Sequence, residues 1–396
     1  MKMIEPAKRV SEIKEYYFSK KLRELAKLNS EGADIISLGI GGPDRMPDFR
    51  VIETLKRETE RESNHSYQPY NGLPELREAF SSWYKRKYGV DLNPATEILP
   101  LIGSKEGILH VSLAFLNLGD GVLVPDPGYP TYTSVSKLVG AKIYTYDLKE
   151  KNGWLPDFEE LEKLPLEKIK LMWVNYPHMP TGKKADLAIL KKLVEFGKRH
   201  GIVIAHDNPY SFILNEEPLS MLQIEDAKSI VVEMNSLSKS HNMAGWRVAM
   251  AASNPEFISW ILKVKSNIDS GQFKPVMLAA AEALKLEDDW YTTLNQEYRE
   301  RRKIAEEIMH VLGCEIDSGQ TGLFLWGKVS KEAESGERLA DELFYKAKVF
   351  VTPGFIFGKN GEQYIRISLC ATRDKLKESL NRIEQYINER SKTFIS

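Results

Sequence analysis

The sequence predicts an α/β fold, a mostly parallel sheet covered by helices joined to a smaller α+β unit, and three observations carry that expectation. Short apolar runs alternate with helical stretches between residues 97 and 253. Several of those runs are apolar without a break, as strands buried on both faces require. After a charged helical stretch at 286–312 the pattern changes to short strands with few helices between them. At 396 residues the chain also exceeds one core, since single cores stop growing near ~250 to 300 residues.

Residues 11–30 carry charges with aromatic and leucine positions at helical spacing and stop at the polar break "NSEGAD" before the strand-like "IISLGI". The runs "EILPLIG", "GVLVPDPGYP", "KIYTYDL", "KLMWVNYP", "GIVIAHDNPY", "SIVVEMNSLSKS" and "RVAMAAS" read as strands. Between two of them "LAILKKLVEFGKRHG" reads as a helix with Leu187, Leu190, Leu193 and Val194 on one face and Gly201 as its stop. Residues 286–312 read as a long connecting helix. Beyond it "TGLFLWGKV", "VFVTPGFIFG" and "YIRISLC" read as strands, with helices near "RLADELFYKA" and "DKLKESLNRIEQYI".

Composition narrows the function classes. There are 55 Lys plus Arg against 56 Asp plus Glu, so no basic excess points to nucleic acid or an anionic membrane. Hydrophobic residues at 42% suffice for a core without staples. Cys314 and Cys370 stand alone, which argues against a disulfide framework or a zinc site and fits a reducing compartment. No signal-peptide core or long apolar run occurs, so a cytoplasmic protein with small-molecule partners is expected.

Ligands of open α/β sheets sit outside the carboxyl ends of the strands, which makes strand-end residues the ones to inspect. "SLSKSHNMAGWR" comes directly after an apolar run and places Lys239 among Ser236, Ser238 and Ser240, eight residues before Arg247. A lone turn lysine is ordinarily a surface residue. Here the hydroxyls and the guanidinium supply the donors that a phosphate dianion needs. A lysine amine beside a phosphate site suggests Schiff-base chemistry, and pyridoxal 5′-phosphate is the common cofactor of that description. That cofactor demands an acid facing its pyridine nitrogen. "IVIAHDNPY" supplies Asp207 at a strand end and, three residues on, the phenol of Tyr210.

With these residues assembled, the chain resembles the class I and II aminotransferases among the fold type I pyridoxal-phosphate enzymes, nearest to the LL-diaminopimelate, alanine and aspartate aminotransferase group. "SLSKSHNMAGWRVA" is similar to the family's lysine segment and "DNPY" to its Asp-x-x-Tyr. "LGIGGPD", "YQPYNGLPELREA", "GSKEG", "PDPGYPTY" and "YIRISL" resemble, in order, the substrate loop, the partner-subunit segment, the phosphate turn, the ring-stacking segment and the carboxylate-binding strand. The resemblance implies a large cofactor domain at 45–285 and a small domain built from both chain ends, 1–44 and 286–396. It implies Lys239, Asp207 and Tyr210 as catalytic residues. For cofactor binding it adds Gly103, Ser104, Lys105, Tyr129, Asn175, Ser236, Ser238 and Arg247, with Tyr67 reaching over from the neighbour in a homodimer. For substrate it implies Ile40, Gly41 and Arg366. In an alternating strand, an arginine between Ile365 and Ile367 would otherwise face solvent. The aromatic cluster Tyr16, Tyr17 and Phe18 is placed to close over the substrate or to pack at an interface.

One segment departs from the family. "NYPHMPTG" resembles the Asn-Pro-Thr-Gly loop, whose Asn donates to the cofactor ring oxygen, and it carries Met179 at that Asn. A thioether cannot donate, and such a hydrogen bond is worth about 1 kcal/mol net. Tyr210 is then the main donor at that oxygen, with Asn175 the one residue nearby able to compensate. No metal is expected, and His178, His206 and His241 are read as structural hydrogen-bonding residues. The distal carboxylate of a dicarboxylic substrate would need a cation, for which Lys263, Lys265 and Lys274 lie in a suitable region. The implied activity is transfer of an amino group between an L-amino acid, glutamate being one partner, and a 2-oxo acid. C–S or β-lyase and decarboxylase chemistry use the same motifs, and a cofactor-sensing regulator is the non-enzymatic alternative, although residues 1–35 are too short for a winged helix.

Overall fold

The computed structural model describes residues 4–11, 13, 15 and 17–393. Its strands are, in chain order, β1 (Ile36–Ser37), β2 (Ile98–Leu101), β3 (Gly121–Asp126), β4 (Lys142–Asp147), β5 (Ile169–Val174), β6 (Val203–Asp207), β7 (Val231–Ser236) and β8 (Ala249–Ala252). They continue with β9 (Glu315–Ile316), β10 (Phe324–Lys328), β11 (Val349–Phe350), β12 (Thr352–Pro353) and β13 (Tyr364–Ser368). Seven of them form one sheet in the order β2-β8-β7-β6-β5-β3-β4, parallel except at β8, which runs against both neighbours. Two reversals cancel, so β2 points the same way as β7 and their carboxyl ends share one edge.

Alternation explains the unbroken apolar runs. Leu171 and Trp173 of β5 face one apolar cluster with Val122, Val124 and Ala205, while Met172 and Val174 face another with Leu123 and Ile204. Both faces of the sheet are therefore dry, as the sequence predicts for a parallel sheet. The helix Leu187–His200 starts where the Asp186 side chain accepts from the Ile189 N–H at 2.8 Å and ends at Gly201 with φ +64°. It buries Ile189, Leu190, Leu193, Val194 and Phe196. Leu187, expected on that face, is half exposed at the first helical position.

The remaining strands build the antiparallel sheet β12-β13-β10-β9 and the parallel pair β1-β11. The residues after β1 run on beside β13, where the Ser368 N–H donates to the Leu38 carbonyl at 2.7 Å. The expected connecting helix is Asp288–Val311, and Arg373–Thr393 packs along it. No helix of the described residues is long and apolar enough to cross a membrane.

Arg301 fastens the N-terminal segment to this unit. Its guanidinium makes a two-pronged contact with Asp44, at 2.7 and 3.0 Å, and donates to Glu297 at 2.9 Å. Removing it in Arg301→Ala strips Asp44 of a charged partner, and a loss of about 2 to 3 kcal/mol is expected in urea unfolding at pH 7. Arg373, then Arg301, hold the Glu297 carboxyl down from 4.5 to about 2 against the opposing effect of burial. A depressed carboxylate contributes stability that is complete above pH 4.5 and is lost as pH falls toward 2. Between pH 5 and pH 3 the parent should lose more stability than Arg373→Gln, a difference that urea titrations at the two pH values measure.

Candidate active site

Five strands of the large sheet deliver residues to one cavity of about 500 Å³ at their carboxyl ends. Ser104 and Lys105 come after β2, Tyr129 and Tyr132 after β3, and Asn175 and Met179 after β5. Asp207 ends β6 with Tyr210 beyond it, and Ser236, Ser238 and Lys239 come from the end of β7. The opposite wall comes from the other lobe: Phe324 of β10, Arg366 of β13, Phe357, and the loop Gly39–Gly42 after β1. A larger groove of about 1120 Å³, lined by Arg86, Lys87, Glu287, Asp288 and Asp289 among others, contains none of the expected site residues.

Basic groups and free backbone donors gather at one end. Gly103, at φ +83°, caps the helix Ser104–Phe115 without a side-chain cap, so its first-turn N–H groups point outward. A Cβ on Gly103 would collide with the guanidinium of Arg247. Arg247 itself sits at φ +57°, held by donation from its Nη1 to the Ala244 carbonyl at 2.9 Å and from Gln272 to its own carbonyl at 2.8 Å. This left-handed turn aims the guanidinium over the helix end. Ser236 caps the single turn that carries Lys239, and its hydroxyl donates to Ser238 Oγ at 2.9 Å. Burial, with Arg247 nearby, lowers the Lys105 pKa.

Asp207 lies at the centre, buried, with Oδ2 accepting from the Tyr132 hydroxyl at 2.9 Å and Oδ1 without a hydrogen-bond partner among the described residues. Burial pushes this carboxyl up to about 6, while Tyr132, His206 and Lys239 pull against it. Tyr132 is a residue that sequence reasoning missed. It stands one helical turn after Tyr129 in "PGYPTY" and stacks on Trp173, ring centroids 5.0 Å apart. Lys239 Nζ donates to the Gly41 carbonyl. Burial lowers the Lys239 pKa, and Arg366 and Arg247 add to the effect.

Arg366 does not face solvent. It sits in the interior of the small sheet, where β13 is buried along its whole length. Its Nη2 donates to the Gly39 carbonyl at 2.8 Å, and its Nη1 lies 3.2 Å from Met179 Sδ. Met179 is therefore at the arginine end of the cavity. Asn175 commits its amide to the backbone, donating to the Asp207 carbonyl at 2.7 Å and accepting from the Met179 N–H at 2.8 Å. It thereby frames the loop while lining the cavity. Ile40 and Gly41 line the cavity, as expected of a substrate loop.

Other expected residues lie elsewhere. Tyr67 is 90% exposed on this chain and is not among the cavity's lining residues. Phe18 lines the cavity, Tyr17 packs edge-on against Phe18 and Phe355, and Tyr16 lies outside the described residues. None of Lys263, Lys265 and Lys274 reaches the cavity. Lys265 is buried against Asp269 at 2.5 Å and fills the acid-lined spot formed by Glu106, His110 and Asp269 with its ammonium. His178 bonds Thr181, His206 bonds Glu233 and the Tyr176 carbonyl, and His241 bonds Ser240 and Tyr291, each within the scaffold.

These residues fit pyridoxal phosphate. The unpartnered Asp207 Oδ1 suits a protonated ring nitrogen, and the side-chain-free approach of Gly103 to Arg247 suits a dianion at a helix end. Known proteins agree with that fit. The family model for aminotransferase class I and II matches residues 33–383. The chain is 42% identical to an LL-diaminopimelate aminotransferase of Aquifex aeolicus, covering 96% of this chain and 99% of that one. It is 40% identical to the protein of that name from Nitratidesulfovibrio vulgaris, covering 95% and 98%. Among solved structures, substrate-bound BacF from Bacillus subtilis superposes with a TM-score of 0.92 at 36% identity, covering 97% and 98%. An aromatic aminotransferase from Pyrococcus horikoshii gives 0.85 at 28%, covering 93% and 99%. A lysine, an acid and an arginine converging at the strand ends of such a sheet, in a chain this similar over its length, leave one assignment: it belongs to the class I and II aminotransferases and is a pyridoxal-phosphate-dependent transaminase.

Proposed function

We propose that this transaminase moves an amino group between an L-amino acid and a 2-oxo acid, glutamate being one partner, with Lys239, Asp207 and Tyr210 as its catalytic residues. The convergence of Lys239, Asp207 and Arg366 on one cavity carries the reading. The name of its relatives supports LL-diaminopimelate as a donor to test beside alanine and aspartate. Pyridoxal phosphate, when bound, supplies the carbonyl through which the amino group is exchanged and a ring that takes up the electron pair left at the substrate α-carbon.

The chain's own residues do the rest. Arg247, Ser236, Ser238 and the N–H groups of the Gly103, Ser104 and Lys105 turn hold the phosphate, and Tyr129 stacks on the ring. Asp207 keeps a proton on the ring nitrogen through Oδ1, and Tyr132 positions Asp207. Tyr210 donates to the ring oxygen. Lys239 Nζ takes up and redelivers the α-proton, a task suited to an amine that desolvation biases toward its neutral form. Arg366 clamps the α-carboxylate, with Gly41 beside it.

The active unit is read as a homodimer in which Tyr67 of each subunit completes the neighbouring phosphate site. The exposure of Met46, Phe49, Tyr67 and Tyr70 supports such a contact face. The free, buried thiols of Cys314 and Cys370 accord with a reducing cytoplasm.

Replacing Lys239 by Ala should abolish turnover, by at least ~10⁴-fold, while the folded variant still takes up cofactor in equilibrium dialysis. Full activity in that variant would sink the mechanism. In Asp207→Asn the sign runs opposite for stability and for binding. A carboxyl raised from 3.8 to about 6 costs the cofactor-free protein nothing below pH 4, and the cost grows to its full size above pH 6. The cofactor-free variant should therefore gain about 2 to 3 kcal/mol over its parent at pH 8 and nothing at pH 4, by urea unfolding, while losing cofactor affinity. Restoring a donor in Met179→Asn should tighten amino-acid binding about fivefold, a figure that corresponds to ~1 kcal/mol and is read from the substrate dependence of the half-reaction.

A further inference from the structure

Behind Asp207 lies a buried pair of ionisable residues that the proposed chemistry leaves unused. His206 precedes Asp207 in β6, and Glu233 is its register partner in the neighbouring parallel strand β7. Successive residues of a strand point to opposite faces, so His206 turns into the core while Asp207 lines the cavity. The two are 1% and 0% exposed, so nothing that docks on the surface changes what surrounds them.

Every polar atom of the pair is occupied. Glu233 Oε1 accepts from the Tyr84 hydroxyl at 2.8 Å and from the Ser220 hydroxyl at 2.6 Å. Oε2 accepts from the Met221 N–H at 2.7 Å and meets His206 Nδ1 at 2.8 Å. The Ser220 oxygen already accepts from the Leu222 N–H, which leaves its own proton for Glu233. Three donors besides the histidine therefore favour the carboxylate over the acid. Across the ring, Nε2 lies 3.1 Å from the Tyr176 carbonyl, a group that only accepts. A neutral imidazole would set one bare nitrogen against an acceptor, and a dry core makes that mismatch costly. An imidazolium donates at both nitrogens and satisfies both contacts. Around the pair, burial keeps Tyr84 and Tyr88 protonated, and Lys184 and Glu217, of opposite sign, stand exposed at the mouth of a narrow crevice that His206 also lines.

A buried ion pair contributes little stability once desolvation is counted. What this one supplies is a positive charge one residue from Asp207. Burial pushes the Asp207 carboxyl up to about 6, and Tyr132, then His206, then Lys239 pull it back. Of these two cations, Lys239 takes up and gives away protons in the proposed cycle, whereas fixed acceptors hold both protons of His206. The same contacts tie β6 to β7 three residues before Ser236, and to the residue after Asn175.

We propose that His206 stays an imidazolium at neutral pH and acts as a positioning residue for Asp207, keeping its carboxyl ionised to hold the proton on the cofactor ring nitrogen; this rests on the role proposed for Asp207.

Neutron diffraction from crystals of the perdeuterated holoenzyme at pH 8 reads the protons directly and needs no variant. Deuterium is expected on Nδ1 and Nε2 of His206 and on neither oxygen of Glu233. A bare nitrogen, or deuterium on Glu233, overturns the inference. The consequence for Asp207 is read by equilibrium dialysis of pyridoxal phosphate at pH 5 and pH 8 against the parent, His206→Gln, Asp207→Asn and the variant carrying both. Removing a nearby cation favours the protonated carboxyl, so His206→Gln should bind roughly tenfold weaker than the parent at pH 5 and within twofold of it at pH 8. In the Asp207→Asn background that pH dependence should vanish. Loss by one factor at both pH values is what a purely structural role gives, and it overturns the inference, as does a pH dependence that survives in Asp207→Asn. Should His206→Gln not fold, His206→Gln/Glu233→Gln leaves no unpaired charge and carries the same comparison, with loss in the same direction because Glu233 lies a strand further from Asp207. Asp207→Asn binding as tightly as the parent at pH 8 would bring down the proposed role of Asp207 itself. A weakly binding Asp207→Asn beside a pH-independent His206→Gln overturns the inference alone.

Discussion

Desolvation of charged side chains in one cavity is the constraint on which the rest of this structure depends. Asp207 and Arg366, from the two lobes, are buried and Lys239 between them is partly so, while the Arg247 guanidinium stands exposed at the cavity's end. Each would be stable alone at a surface. Burial moves the amine of Lys239 down and the carboxyl of Asp207 up, the second against the pull of Tyr132, His206 and Lys239. The parallel sheet makes this tolerable because its strands are dry on both faces and end in a common edge, so five strand ends can each contribute a polar residue without carrying polar groups into the core.

The loop after β1 holds the two lobes' cations in register. Gly39 gives its carbonyl to Arg366 and Gly41 gives its carbonyl to Lys239, two residues apart on one stretch of backbone. A Cβ on Gly39 would meet the ring of Phe350, and one on Gly41 would meet the ring of Phe324, so the loop approaches as closely as it does because both residues lack side chains. Arg301, clamping Asp44 just beyond, fixes the far end of the same segment. Arg366 and Lys239 are thereby measured against a single piece of main chain, and movement of that segment would disturb both together.

Much of this is legible in the sequence because it rests on local pattern. The strands β2 to β8 are short apolar runs, and Asp207 and Lys239 stand at or just beyond the ends of two of them. What escapes depends on contacts between distant segments. Tyr132 looks like one more aromatic in a turn until β3 and β6 place its hydroxyl on Asp207. Arg366 reads as a surface residue by alternation alone, and only the family resemblance lifts it from there, because the pattern of β13 does not reveal that β12 and β10 flank it and that the strand is buried along its length. Nothing in "NYPHMPTG" tells that the Asn175 amide also donates to the backbone of Asp207. Lys265 reads as available to a substrate until the fold sets it against Asp269.

The methionine in that loop and the phenylalanines around Arg366 belong to one physical arrangement. An asparagine at 179 would return the missing donor, but it would also bring a polar amide into a wall otherwise built of apolar side chains. A thioether asks for nothing and packs against aromatic rings. With Met179 in place, Phe18, Phe324 and Phe357 enclose the guanidinium in apolar matter. A charge so enclosed attracts a single carboxylate more strongly than one in water, because the local dielectric is lower. On this reading the lost donor is offset in part by a drier clamp, whose attraction for a carboxylate the surrounding rings strengthen.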